Sequence, residues 1–384
     1  MKLTTLTVLG GISPAEFLQD YWQKKPLLVR GAMPELIGMF EPQDMLDLAI
    51  EDGVTARLLM QLGQHHDRWQ LKTSPLTRKD FKKLPLYWTL LVQAVDHWSL
   101  ELAELWHKFD FIPQWRRDDI MVSYAPKGGS VGQHFDQYDV FLVQAHGHRR
   151  WQLGQSFPAD TAFVPNQPLR LLPDMGEIIF DEILAPGDLL YVPPGLSHYG
   201  VAEDDCLTCS FGFRMPNTAQ LIERIADQCV GDAVLQVPVA DTAAQAGQAQ
   251  AGLVSAQALD DLKQRLLTVL NDPVLFEQAA MALLSESKYP DSLPDVEPIE
   301  MDDWADYLEQ GISGRLDPSV RLVYSPSQQF WLNGEAMEVD PAYQAALQQL
   351  ADGAWLSTEQ LAALPASTVL DWIERSLLMV QLPE

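Results

Sequence analysis

Cysteine is scarce, with 3 residues in a chain of 384. A disulfide framework is therefore not expected, and the chain reads as the product of a reducing compartment held together by its core. Basic residues are also short: 26 Lys and Arg face 53 Asp and Glu, a formal net charge of -27. A protein that grips duplex nucleic acid draws most of its affinity from neutralising phosphates, and this chain has no basic surplus for that. The same field attracts basic partners. Long apolar runs are missing too. The longest uncharged stretch, Thr242 to Leu259, is mostly Ala, Gln and Gly, so no membrane span is expected. The start, Met1 to Gly10, lacks the basic-then-apolar pattern of a secretory signal, which leaves a cytoplasmic location as the expectation.

What is present is enough for a sizeable core, at 47% hydrophobic and 21% charged residues. At roughly 100 to 200 residues per domain, the length suggests two or three domains. Ser13-Pro14-Ala15-Glu16 has the form of a capping box opening a helix through Tyr21-Trp22, after which Leu27 to Arg30 reads as a buried strand ending at Gly31. From Asp119 to about Arg214 the texture changes to short β-type runs: Ile120 to Tyr124, Asp139 to Val143, Arg149 to Leu153, Glu177 to Phe180, Asp188 to Val192 and Cys206 to Phe213. That spacing suggests a sandwich or barrel. Beyond Pro216, Asn217 can cap a helix through Cys229. A second helical region, Ala256 to Leu284, breaks at Asn271-Asp272-Pro273, and the stretch between, Thr242 to Ser255, reads as an exposed loop. An acidic segment, Tyr289 to Glu309, leads to a strand pair near Val320 to Val339. Helices then follow at Pro341 to Leu350, from Ser357, and at Ser367 to Leu378, a set that suits a winged helix-turn-helix. The class is α+β, divided into residues 1–214, 215–290 and 291–384.

The chemistry concentrates in the β region. His134-Phe135-Asp136 follows a Gly-rich turn, and residues i and i+2 of a strand share a face. A third ligand has to come from another strand, and His198, delivered by Pro193-Pro194-Gly195, is the candidate. Two His and one carboxylate leave three positions open on an octahedral metal, which suits Fe(II) binding a bidentate co-substrate together with dioxygen. If that co-substrate is 2-oxoglutarate, its far carboxylate needs a buried cation. Alternation lets only one of Arg149 and Arg150 point inward, and Arg149 is chosen. Asp119, Met121 and Ser123 share the strand face opposite Ile120, Val122 and Tyr124, a composition that suits a pocket wall. His65, His66, His97, His107, His146 and His148 read as exposed or structural. Cys206 and Cys209 have redox spacing, but the odd offset on a strand turns them to opposite faces, so both read as core.

Tyr21 to Gly31, His134 to Phe141, Gly147-His148-Arg149-Arg150-Trp151 and the Pro-Pro-Gly segment ending at His198 together resemble the JmjC ribosomal oxygenases, in particular the bacterial branch acting on an arginine of large-subunit ribosomal protein sixteen. The resemblance covers nearly the whole chain. It implies a JmjC double-stranded β-helix of the cupin-like jelly-roll type, a helical dimerisation region and a C-terminal winged helix. It further implies Fe(II) on His134, Asp136 and His198, 2-oxoglutarate on Arg149 and Ser123, and a target arginine near Asp119, Met121 and Tyr138, hydroxylated at Cβ with dioxygen. The expected partners are a basic ribosomal protein and a second copy of the chain. Residues 215–384 carry 7 basic and 26 acidic residues, -19 net, which argues against nucleic-acid binding by the winged helix. The alternatives are the same chemistry on a histidyl residue of another ribosomal protein, a non-catalytic acidic scaffold for basic proteins, and a zinc or manganese cupin isomerase.

Overall fold

The computed structural model describes residues 8–62, 68–231, 233, 235, 236, 238, 252–289 and 299–383. His65 and His66 and most of the loop expected at 242–255 lie outside the described residues. The chain divides into two compact units, Met1–Met215 with Tyr289–Leu293, and Pro216–Lys288 with Pro294–Glu384. Among the described residues no helix is long and apolar enough to cross a membrane.

The first unit is built on eleven strands: β1 Leu27–Val29, β2 Ala56–Leu62, β3 Arg68–Thr73, β4 Tyr87–Val92, β5 Arg117–Ala125, β6 Asp139–His146, β7 Arg149–Ser156, β8 Phe180–Leu184, β9 Leu189–Val192, β10 Leu196–Ala202 and β11 Cys206–Phe213. Eight of them form an antiparallel sheet in the order β1-β9-β6-β11-β5-β4-β2-β3, and a second sheet runs β10-β7-β8. Strands β2 to β4 precede the region expected to be β and extend its sheet by three. Strand β8 lies later than the expected Glu177 to Phe180, because its pairing with β7 runs from Leu153↔Phe180 to Arg149↔Leu184.

Strand alternation divides the large sheet into two faces. Ile120, Val122, Phe141, Val143, Tyr191, Cys209, Phe211 and Phe213 pack outward against Phe17, Met33, Leu36, Trp106 and Phe109 from the N-terminal segment, forming the main core. Val140, Leu142, Leu190 and Val192 face the other way and meet Trp151, Leu153, Leu184 and Leu196 of the small sheet, filling one part of the space between the sheets. Cys206 sits apart with Ala125 and Ala202, and the odd spacing does separate it from Cys209. Burial pushes the Cys209 thiol up to about 12, that of an inert core residue.

The N-terminal motif serves as a clasp. Ser13 Oγ accepts from Glu16 N at 3.2 Å and opens the helix Pro14–Asp20. Trp22 then stacks on Tyr191 with centroids 5.7 Å apart, and Tyr191 Oη accepts from Gln23 N and donates to Asp139. Strand β1 pairs with β9, and Asp188 accepts from Gly31 N and Arg30, tying the strand to the turn that precedes β9.

In the second unit the helix Thr218–Val230 opens with a full capping box between Asn217 and Gln220, and the next helices, Ala256–Leu270 and Pro273–Ser285, break where the Asn-Asp-Pro was expected to break them. A further helix, Met301–Glu309, occupies the end of the acidic segment, whose residues 290–298 lie outside the described residues. Three strands rather than two follow, β13 Leu322–Tyr324, β14 Phe330–Leu332 and β15 Glu335–Met337, after β12 Ser313–Leu316. The last helix, Ala366–Glu374, stops short of Leu378: Ser376 adopts a left-handed φ of 57°, Leu377 N bonds back to Trp372 O, and β16 Leu378–Gln381 pairs with β12.

Candidate metal centre and active site

His134, Asp136 and His198 offer ligand atoms that all lie within 4.8 Å of one another. Backbone pairing brings them together. His134 N bonds to His198 O at 3.1 Å and His198 N to His134 O at 2.8 Å, while Gly195 N donates to Asp136 O at 2.7 Å, so the Pro-Pro-Gly turn is tied directly to the His-X-Asp segment. Asp136 Oδ2 stands 3.8 Å from His134 Nε2 and 3.6 Å from His198 Nε2.

The tautomers follow from the partners. His134 Nδ1 lies 2.9 Å from the Gly132 carbonyl and His198 Nδ1 3.0 Å from the Leu196 carbonyl. A carbonyl only accepts, so each Nδ1 carries a proton, and each Nε2 is the ring nitrogen turned toward Asp136. Gly132 supplies its carbonyl from a φ of 83°, where a Cβ would also come within 2.4 Å of Leu171. Burial, reinforced by the neighbouring His134, holds the His198 imidazole neutral, down to about 4. Two imidazoles and one carboxylate are the donor set that divalent iron accepts, and His134 and Asp136 are only half-buried, leaving the cluster open on one side. The residues fit a metal.

Arg149 is 2% exposed, and its Nε and Nη2 are buried without a hydrogen-bond partner. Arg150, one residue on, points outward and makes a bidentate pair with Asp181 at 2.6 Å on both arms. A buried guanidinium with two vacant donors fits a carboxylate occupant. Ser123 faces the same interior, although its Oγ lies 3.4 Å from Thr208 O. Beside it, Thr208 Oγ1 donates to Gln144 Oε1 at 3.0 Å.

The residues expected around a substrate side chain are distributed differently. Tyr138 is 41% exposed, and the neighbouring carboxylates, Asp136 foremost and then Asp119 and Asp118, raise its phenol well above the ordinary value. Met121 is half-buried, with its sulfur 4.0 Å from an Arg57 Nη2. Asp119 is buried and already engaged: its Oδ2 accepts from Ala94 N at 2.9 Å and lies 3.5 Å from the Tyr289 hydroxyl. Sequence reasoning missed Arg57 and Tyr289, which neighbour Met121 and Asp119, and Trp151, which neighbours Arg149 and His198. The first two belong to segments read without β or site signals; Trp151 was within reach, because alternation along β7 faces it the same way as Arg149. Of the other histidines, His97 packs edge-on against Tyr289 and His148 bonds to Asp204.

A family model described as the JmjC domain matches residues 104–221, and one described as the ROXA-like winged helix matches residues 268–379. A probable ribosomal oxygenase of Haemophilus influenzae is 45% identical over 367 residues, covering 93% of this chain and 90% of that one. The ribosomal protein uL16 3-hydroxylase of Escherichia coli is 35% identical over 354 residues, 90% of each chain. Among solved structures, the Escherichia coli ribosomal oxygenase YcfD in complex with cobalt and 2-oxoglutarate superposes with a TM-score of 0.81 at 30% identity, over 97% of this chain and 99% of that one. The fold is thus a JmjC β-helix with a helical region and a C-terminal winged helix, and the chain belongs to the JmjC ribosomal oxygenases.

Proposed function

We propose that the protein is an Fe(II)- and 2-oxoglutarate-dependent oxygenase that hydroxylates Cβ of an arginine on the large-subunit ribosomal protein uL16. The observation that carries the reading is one open-sided His-Asp-His cluster joined, along the same barrel wall, to a buried arginine with vacant donors. Bound iron, with 2-oxoglutarate and dioxygen, supplies the oxidation: one oxygen atom enters the substrate C–H bond and the other enters succinate, with release of carbon dioxide. His134, Asp136 and His198 hold the metal through Nε2, a carboxylate oxygen and Nε2, with Gly132 O and Leu196 O fixing the rings. Arg149, with Ser123 beside it, binds and orients the co-substrate. The apolar packing of Trp151, Leu153, Leu190 and Val192 excludes water from one end of the barrel.

On this reading the target side chain lies near Met121 and Tyr138, with Asp119 as its charge partner. The uL16 target and hydroxylation at position 3 rest on the uL16 3-hydroxylase relative at 35% identity, and the arginine on the sequence resemblance. Incubating the protein with Fe(II), 2-oxoglutarate and unmodified uL16 and locating the added oxygen by fragmentation tests it. Oxygen on a histidyl residue of another ribosomal protein instead would transfer the chemistry to a different target.

The acidity of residues 215–384 acts on this reading as a long-range attractor for a basic ribosomal protein, in a cytoplasmic setting. Residues 215–290 form the dimerisation region. The helix Ala256–Leu270 buries none of its residues, and Leu259, Leu262 and Leu266 are exposed at i, i+3 and i+7 on one stripe, which a second copy of the chain would cover. Light scattering that found only the 43.1 kDa species would contradict this.

A further inference from the structure

Arg149 is not the only buried donor left open in the barrel. The indole Nε1 of Trp151 is buried with no acceptor, on a side chain 3% exposed. Buried polar atoms in folded proteins are nearly always paired, so three vacant donors on two side chains at consecutive inward positions of one strand indicate an occupant rich in acceptors. Among the described residues no acceptor pairs with them.

The position of Trp151 is defined by the ladder between β7 and β10. His198 pairs with Leu153, Gly200 with Trp151 and Ala202 with Arg149. Trp151 therefore stands midway between the strand position that carries a metal ligand and the one opposite the buried cation. Its ring reaches both, with its centroid 6.0 Å from that of His198 and 5.7 Å from Arg149 Cζ. The ring is held in place from across the ladder. A Cβ at Gly200 would come within 2.7 Å of Cη2 and Cζ3, so the indole lies against bare backbone that only glycine leaves free.

We propose that Trp151 is a co-substrate-binding residue whose Nε1–H donates to 2-oxoglutarate in the span between the metal ligands and Arg149. This rests on the oxygenase reading above, and it adds a neutral, directional donor to the charge of Arg149. A second donor, on a side chain two residues away and fixed by packing, sets the tilt of the molecule relative to His134, Asp136 and His198.

The test uses the full-length protein loaded with Zn(II), a diamagnetic ion that takes the same ligands but supports no turnover. With tryptophan 15N-labelled, the Trp151 indole N–H resonance, assigned by its loss in Trp151→Phe or through the backbone should that variant not fold, is followed as 2-oxoglutarate is added. The proposal requires that resonance to move downfield and its hydrogen exchange to slow. Calorimetry on Trp151→Phe should give 2-oxoglutarate affinity weaker by about tenfold with zinc affinity unchanged. An unmoved indole resonance together with affinity within about twofold of wild type, while Arg149→Met abolishes binding, overturns the role of Trp151 and leaves the oxygenase reading standing. Failure of 2-oxoglutarate to bind the wild-type protein overturns both.

Discussion

The main chains of His134 and His198 exchange both of their hydrogen bonds, at 3.1 and 2.8 Å, so the two imidazoles leave one β-bridge side by side with centroids 4.2 Å apart. The geometry of the cluster is thus a property of the backbone and should survive loss of any one ligand side chain. His134→Ala, Asp136→Ala and His198→Ala are expected to keep the far-ultraviolet circular dichroism of the wild type while losing metal affinity by more than about 100-fold. Calorimetric titration with Co(II) under anaerobic conditions reads the loss. Wild-type affinity in His134→Ala would remove that residue from the site.

Arg149 and Arg150 differ by one residue and by everything around them. Removing the buried cation in Arg149→Met should weaken 2-oxoglutarate binding by about 2–5 kcal/mol, the usual cost of stripping a buried charge of its partner. Arg150→Ala, on the solvent side, should leave the KM for 2-oxoglutarate within about twofold of wild type. Steady-state succinate production at varied 2-oxoglutarate distinguishes the two, and equal effects would contradict the inward and outward assignment.

Phe141 is fully buried and its ring meets those of Phe17, Trp22, Phe109, Tyr191 and Phe213. It joins the outer face of the large sheet to the N-terminal segment. Phe141→Ala should lower unfolding stability by about 3–5 kcal/mol in chemical denaturation, through lost burial and the cavity left behind. A loss below about 1 kcal/mol would mean that the N-terminal segment is not integral to the core.

If the excess acid of residues 215–384 steers a basic substrate, the KM for a uL16 peptide should rise as salt is raised from low to physiological strength and beyond, while the affinity for 2-oxoglutarate changes little. Initial rates over a sodium chloride series measure it. A peptide KM independent of salt would leave the charge without that role.

How far the molecule could be read in advance depended on whether the relevant contacts were local. Alternation has a period of two residues, so it separates Arg149 from Arg150 and Ile120 from Met121 with no knowledge of the fold. Helix caps and breaks are equally local: Asn217 opens a helix where it was expected to, and the break falls at Asn271-Asp272-Pro273. Strands β2 and β3 escaped because Arg57, Gln61, Arg68 and Lys72 interrupt their apolar pattern; what makes them strands is the ladder that runs from β5 through β4 to β2 and on to β3. Asp119 shows the same limit at the site. Its strand face suggests a pocket carboxylate, yet Ala94 N and the distant Tyr289 hydroxyl meet its Oδ2, and neither contact follows from spacing. The end of the last helix was missed because a left-handed Ser376 is unusual for a residue with a Cβ.

The central claim, that this barrel hydroxylates a ribosomal arginine, is tested most directly by one measurement. Unmodified uL16 is incubated aerobically with the protein, Fe(II) and 2-oxoglutarate, and the product is fragmented by tandem mass spectrometry. The account predicts one added oxygen atom on Cβ of a single arginine, absent when His134→Ala replaces the wild type. Succinate formed with no oxygen on uL16, or oxygen on a different kind of residue, would contradict it.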